Sequence, residues 1–124
     1  MGNGKNEAEG RGHYKLEAWK LSMGLVRNVY TLTQTFPKEE MFGLTSQMRR
    51  AAVSIPSNIA EEAARAGEKE FAQFLNIARG SLSELETQLL ISADLGYIEN
   101  NNPIFNTVDR VSRLITGLRK SVRT

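Results

Sequence analysis

From Leu16 onward, apolar residues recur at helical intervals. Leu16, Trp19, Met23, Val26 and Tyr30 follow spacings of 3, 4, 3 and 4, which places five side chains on one face of a helix. Leu21, Leu25, Val29 and Leu32 follow spacings of 4, 4 and 3; at about 100° per residue they fall on roughly the opposite face. This first helix is apolar on two sides. The pattern predicts that the Leu16 stripe faces the protomer's own core. Leu21, Leu25, Val29 and Leu32 are then left to meet a second copy, because such a patch in water is unusual for a monomer.

The first helix is expected to stop near Phe36-Pro37, since the residue before a proline is pushed out of the helical region. Met41, Leu44, Met48, Ala51, Ile55 and Ile59 mark a second helix over about residues 41–65. Pro56 interrupts it, but the apolar stripe keeps its phase, so one kinked helix is predicted. Ala66-Gly67 breaks the chain. Glu68 and Glu70 then suit the first turn of a third helix, whose core stripe is Phe71, Phe74 or Leu75, Ala78, Leu82, Leu85, Leu89 and Ala93. Gly96 is its expected C-terminal cap. Asn102-Pro103 reads as an N-cap followed by a first-turn proline. Ile104, Val108, Val111, Ile115, Leu118 and Val122 carry the fourth helix. No strand pattern of useful length appears. The fold class expected is all-α, an up-down-up-down four-helix bundle over residues 14–124. Residues 1–13, with four glycines and almost no apolar side chain, are expected to form a disordered arm.

The 124 residues suffice for one domain with a real core. The absence of cysteine removes disulfides, thiolate catalysis and cysteine-ligated metal sites, and points to the cytoplasm. No apolar run is long enough to cross a bilayer, and the polar opening segment lacks the apolar stretch of a signal peptide. Net charge is only +2, but its distribution is uneven: residues 1–60, 61–100 and 101–124 sum to +3, −5 and +4. Two basic parts around an acidic middle favour association with a second copy or a polyanion.

Most enzyme chemistries fail on what they require. His13 is the single histidine and lies in the expected arm, so neither a histidine triad nor a multi-histidine metal site can be built in one chain. No Glu-x-x-His or Glu-x-x-Glu pair, phosphate loop or Gly-x-Ser-x-Gly is present. Glu84 and Glu86, two apart on a helix, diverge too far to act as an acid/base couple. No enzymatic activity and no cofactor are expected.

One polar stripe stands out. Gln47, Arg50, Ser54, Asn58 and Glu61 follow spacings of 3, 4, 4 and 3 on one flank of the second helix. Its structural reading is a network at a helix contact, in which Arg50 pairs with Glu84 or Glu86 while Ser54 and Asn58 satisfy carbonyls freed by Pro56. Its functional reading is a recognition site, since an arginine fork binds carboxylate and phosphate alike.

The run Gly43-Leu44-Thr45-Ser46-Gln47-Met48-Arg49-Arg50-Ala51-Ala52-Val53-Ser54-Ile55-Pro56-Ser57-Asn58-Ile59-Ala60-Glu61, with Phe74-Leu75-Asn76-Ile77-Ala78-Arg79-Gly80-Ser81-Leu82-Ser83-Glu84-Leu85-Glu86-Thr87, closely resembles the bacterial 23S rRNA intervening sequence proteins. The resemblance covers about residues 14–122 and departs at Glu62 and Ala63-Ala64, where the family usually has a glycine first. It implies a homopentameric barrel of four-helix protomers, with a nucleic-acid role suggested by the genes' place inside 23S rRNA insertions. It also extends to accessory pentamers that bind a reverse transcriptase and its nucleic acid.

The expected function is therefore a non-enzymatic oligomeric scaffold binding RNA or DNA through basic helix faces. On the fourth helix Arg110, Arg113 and Lys120 project away from the apolar stripe and Arg123 flanks it, while Lys20 and Arg27 share a polar edge of the first helix. Such contacts neutralise phosphates without reading sequence. The alternative is a protein-interaction module that docks a protein partner without nucleic acid.

Overall fold

The computed structural model describes residues 3–61 and 67–122. It contains four α-helices: α1 (Asn3–Thr33), α2 (Leu44–Glu61), α3 (Glu68–Asp94) and α4 (Ile104–Ser121), with a 3-10 turn at Lys38–Glu40. No strand occurs among the described residues. α1 packs on α2, α2 on α3, α3 on α4, and α4 closes back on α1.

Contacts at the two ends fix the direction of each helix. Arg11 of α1 makes a bidentate contact with Glu68 at the start of α3, at 3.0 and 2.9 Å. The same guanidinium donates to the Ser121 hydroxyl at 3.1 Å and to the Ser121 carbonyl at the end of α4. The starts of α1 and α3 and the end of α4 thus share one end of the molecule, and the helices run up, down, up and down. Residues 3–13, expected to be a disordered arm, are instead the opening turns of α1. Arg11 supplies the physical reason, since its charge-assisted bonds reward the helix for extending this far. The turn around Glu62 to Ala66 lies outside the described residues.

At the opposite end Glu40 joins the two connections. Its Oε1 accepts the backbone N–H of Leu44 at 3.2 Å, satisfying a free donor at the start of α2, and its Oε2 accepts the Tyr97 hydroxyl at 2.9 Å. The Tyr97 ring also packs against Phe36, with centroids 5.1 Å apart. A Cβ on Gly43 would stand 3.2 Å from Glu40 Oε1, so the bare glycine leaves room for the carboxylate.

Gly96 ends α3 as the sequence suggests. Its φ is +82°, a conformation that costs glycine nothing. Around it the N–H of Tyr97 bonds the Ser92 carbonyl at 2.8 Å and that of Gly96 bonds Ala93 at 3.0 Å, the paired pattern of a Schellman cap. Asn102 caps α4 through Oδ1, which accepts the Ile104 N–H at 2.9 Å. α2 continues through Pro56 as one helix, but it starts at Leu44, and Met41 lies exposed outside it.

The core is built from the predicted stripes of α2, α3 and α4. Met48, Ala51, Ile55 and Ile59 meet Leu75, Ala78, Leu82, Leu85 and Leu89, with Val108, Val111, Ile115 and Leu118 closing the square. The expectation for α1 is corrected at the centre of the helix. Leu25 and Val29 are fully buried beside Ala18 and Ser22, and Leu21 and Leu32 pack partly against the same core. Leu16 and Tyr30 of the other stripe stay 50% and 41% exposed. Trp19 and Val26 of that stripe pack partly against the core as well; the small side chains at Ala18 and Ser22 let the Leu25 face approach its neighbours most closely and so take the centre. Leu25 and Val29 are therefore core residues rather than an interface between copies, with Leu21 and Leu32 at the edge of the core.

Two outcomes follow from this packing. Leu25→Ala is expected to lower unfolding free energy by about 2–5 kcal/mol, while Leu16→Ala lowers it by less than about 1 kcal/mol; denaturant unfolding compares them. The hydrogen bond to the Glu40 carboxylate, with lesser help from desolvation and the neighbouring Glu39, holds the Tyr97 phenol above its ordinary value of 10.0. A raised folded value means that the Tyr97 contribution is complete below pH 10 and fades as pH climbs through the raised value. The stability gap between the wild-type chain and Tyr97→Phe should accordingly be constant from neutral pH to about pH 9 and narrow above about pH 10.

Candidate nucleic-acid interface

The basic residues on α1 and α4 divide according to where their backbones place them. Lys20 leaves α1 on the side facing α4, and Arg110 leaves α4 on the side facing α1. The two line one hollow of about 400 Å³ together with His13, Leu16, Glu17 and Leu21. Apolar side chains thus floor a site rimmed by Lys20, Arg110 and His13, with Glu17 as its acid. Arg27, two helical turns beyond Lys20, is exposed on the same edge of α1.

Arg113 and Lys120 are exposed on α4, as the apolar stripe requires. Arg113 is not an unopposed charge, because its Nη2 meets Asp109 Oδ2 at 2.8 Å one helical turn earlier. Both side chains are mostly in solvent, so the pair adds little stability. It does lower the positive potential that Arg113 offers a phosphate. Arg123 lies outside the described residues.

The polar stripe of α2 separates into two parts. Ser54 and Asn58 are half-buried: the Ser81 hydroxyl of α3 donates to Ser54 Oγ at 2.8 Å, and within α2 Asn58 Nδ2 donates to Ser54 Oγ at 3.1 Å and to the Ser54 carbonyl at 2.8 Å. Pro56 removes the donor for the Ala52 carbonyl, and neither Ser54 nor Asn58 reaches that carbonyl. Nearby, the Ser57 hydroxyl bonds the Val53 carbonyl at 2.7 Å. Gln47, Arg50 and Glu61 are exposed.

The expected pairing of Arg50 with Glu84 or Glu86 is absent from the ion pairs among the described residues. All three side chains project into solvent. Glu86 turns toward α4, where it lines a polar groove with Arg79, Asp109 and Ser112. Glu84 lies on the outer surface of α3. The neighbouring Arg49, which the sequence reading passed over, is the inward-working arginine. Its guanidinium stacks 4.5 Å from the Tyr30 ring, and its Nε donates to Thr33 Oγ1 at 2.9 Å, tying α2 to α1. Two adjacent arginines on a helix point about 100° apart, so one can serve the bundle while the other serves its surface.

Arg119 is a second residue the sequence reading missed; its Nε donates to Asn76 Oδ1 at 3.2 Å across the α3–α4 seam. His13 was also set aside, because it fell within the presumed arm. Among the described residues no group of three or more histidine, aspartate or glutamate side chains is arranged to hold a metal ion. No described helix is long and apolar enough to cross a membrane.

Four antiparallel helices packed around a square, with short connections and the Ser54–Ser81 contact inside the best-marked sequence motifs, define a four-helix-bundle protein. A family model described as 23S rRNA-intervening sequence protein matches residues 14–117. The chain belongs to that family. No curated protein matches the chain.

Proposed function

We propose that the chain is a non-enzymatic, self-associating scaffold, pentameric as the family resemblance implies, that holds RNA or DNA in the cytoplasm against the basic faces of α1 and α4. The convergence of Lys20 and Arg110 on one hollow carries this reading. Two cations from different helices, held by a rigid bundle, present a spacing that a flexible arm would have to order on binding. Arg27 and Lys120 extend the positive surface along the same two helices. Rotational symmetry repeats the cluster, so an assembly multiplies a modest protomer charge into a ring of phosphate contacts.

Contacts of this kind read the backbone and not the bases. Affinity should be insensitive to sequence and fall with salt, with a slope near 0.9 per duplex phosphate contacted. The double variant Lys20→Glu with Arg110→Glu is expected to weaken binding of an arbitrary 20–30 base-pair duplex at least tenfold and to flatten the salt slope, with the mass of the assembly unchanged. Asp109→Asn should strengthen binding by releasing Arg113. A wild-type chain that binds neither single- nor double-stranded RNA or DNA at about 50 mM salt, where counterion release favours binding most, would overturn this function in favour of docking a protein partner.

A further inference from the structure

The bundle leaves two apolar surfaces in solvent, and they differ in chemistry. The first lies over α1 and α2, where Tyr30, Met41, Phe42 and Val53 line a groove of about 540 Å³ together with Arg49 and Arg50. Phe42 is 94% exposed, an arrangement that a phenyl ring does not hold in water without cost. The charges on this groove are both positive. The second surface is the outer stripe of α3, where Glu70, Ile77, Glu84 and Ile91 follow a strict spacing of seven, with Leu95 four residues further on. All five are exposed, and the charges on this stripe are both negative. Neither Arg50 nor Glu84 has an ion-pair partner among the described residues of its own protomer.

We propose that these two surfaces bind each other between copies of this chain, the α3 stripe of one protomer lying in the α1/α2 groove of the next, with Arg50 facing Glu84 across the contact. Charge complementarity selects this occupant. Groove against groove would set Arg50 near Arg50, and stripe against stripe would set Glu84 near Glu84, so each self-pairing brings like charges together. Groove against stripe joins apolar to apolar and arginine to carboxylate. The spacing supports it, since Ile77 to Ile91 covers 14 residues, about 21 Å of helix, with Glu84 at its centre. The contact is head-to-tail, so each protomer uses both surfaces and the chain of contacts ends only by closing into a ring. The arginine and glutamate of the two most distinctive sequence motifs thus pair between protomers.

This inference rests on the self-association in the proposed function and adds which surfaces meet. Phe42→Asp disables the groove and Ile91→Asp disables the stripe, and both positions are exposed, so circular dichroism and melting should show folded protein for each. Light scattering at micromolar concentration is expected to give the 13.8 kDa protomer mass for either variant alone. An equimolar mixture should give a dimer and nothing larger, because each dimer has one working contact and two dead surfaces. Charge reversal supplies an independent arm: Arg50→Glu and Glu84→Arg should each disrupt the wild-type assembly, and combining both changes in one chain should restore it. The proposal is overturned if either aspartate variant keeps the wild-type mass, if the mixture stays monomeric, or if the double charge reversal fails to recover assembly. In those outcomes self-association stands and only its surfaces are wrong. A monomeric wild-type chain overturns both readings together.

Discussion

This chain carries more apolar helix surface than one four-helix core can bury, and the rest of the structure is arranged around that excess. α1 is apolar on two sides, and only one can take the centre of the core. The bundle takes the Ala18, Ser22, Leu25, Val29 side, where small residues allow close approach, and places Leu25 and Val29 at zero exposure. On the side left over, Tyr30 joins the exposed Met41, Phe42 and Val53 of the second helix and its entry, and Leu16 lines the hollow with Lys20 and Arg110. Had the other side of α1 been buried, Tyr30 would not lie beneath the Arg49 guanidinium and the groove over α2 would not exist.

Polar groups are used to hold the ends and seams of this arrangement, where apolar packing is thin. Arg11 of α1 binds two helix termini at one end, through Glu68 and Ser121. Glu40 binds two connections at the other through Leu44 and Tyr97. Ser81 hydrogen-bonds Ser54 across the α2–α3 seam, and Asn58 holds Ser54 from within α2. With the geometry fixed in this way, Lys20 and Arg110 are presented together on one side of the bundle. The acidic stripe of α3 and the arginine-bearing groove of α2 are presented on others. The proposed phosphate binding and the proposed self-association therefore draw on separate cations, Lys20 and Arg110 for the first and Arg50 for the second.

Much of the fold was legible in the sequence because period and punctuation agree there. The stripe of α4 is one-sided and the core stripe of α3 is longer than its outer one, so Ile115 and Leu85 are placed inside by period alone, and Gly96 and Asn102-Pro103 mark the boundary between the two helices through turn chemistry that depends on local residues alone. α1 was misread for the opposite reason, since two apolar stripes of similar strength carry no label for inside and outside. What separates them is the size of Ala18 and Ser22, which matters only against a partner helix. Residues 3–13 were misread because three glycines argue against helix locally, while Arg11 finds Glu68 57 positions away. In the candidate site the sequence shows the cations but not their company. Asp109 beside Arg113 is a spacing of four and could have been seen, whereas the meeting of Lys20 with Arg110 depends on how α1 and α4 pack.

The account turns on whether the arginine-bearing groove of one protomer receives the acidic α3 stripe of another. The chain has no cysteine, which permits a direct test by cross-linking two single-cysteine chains, Phe42→Cys and Ile91→Cys, under mild oxidation. A disulfide forms only where β-carbons come within about 4.5 Å, so a short bifunctional maleimide should be run beside it to tolerate small offsets. The account predicts covalent dimers in the mixture that contain one chain of each kind, and few or none from either chain alone. Cross-linked dimers formed as readily by one chain with itself, or no cross-link in the mixture at concentrations where the protein is assembled, would contradict it.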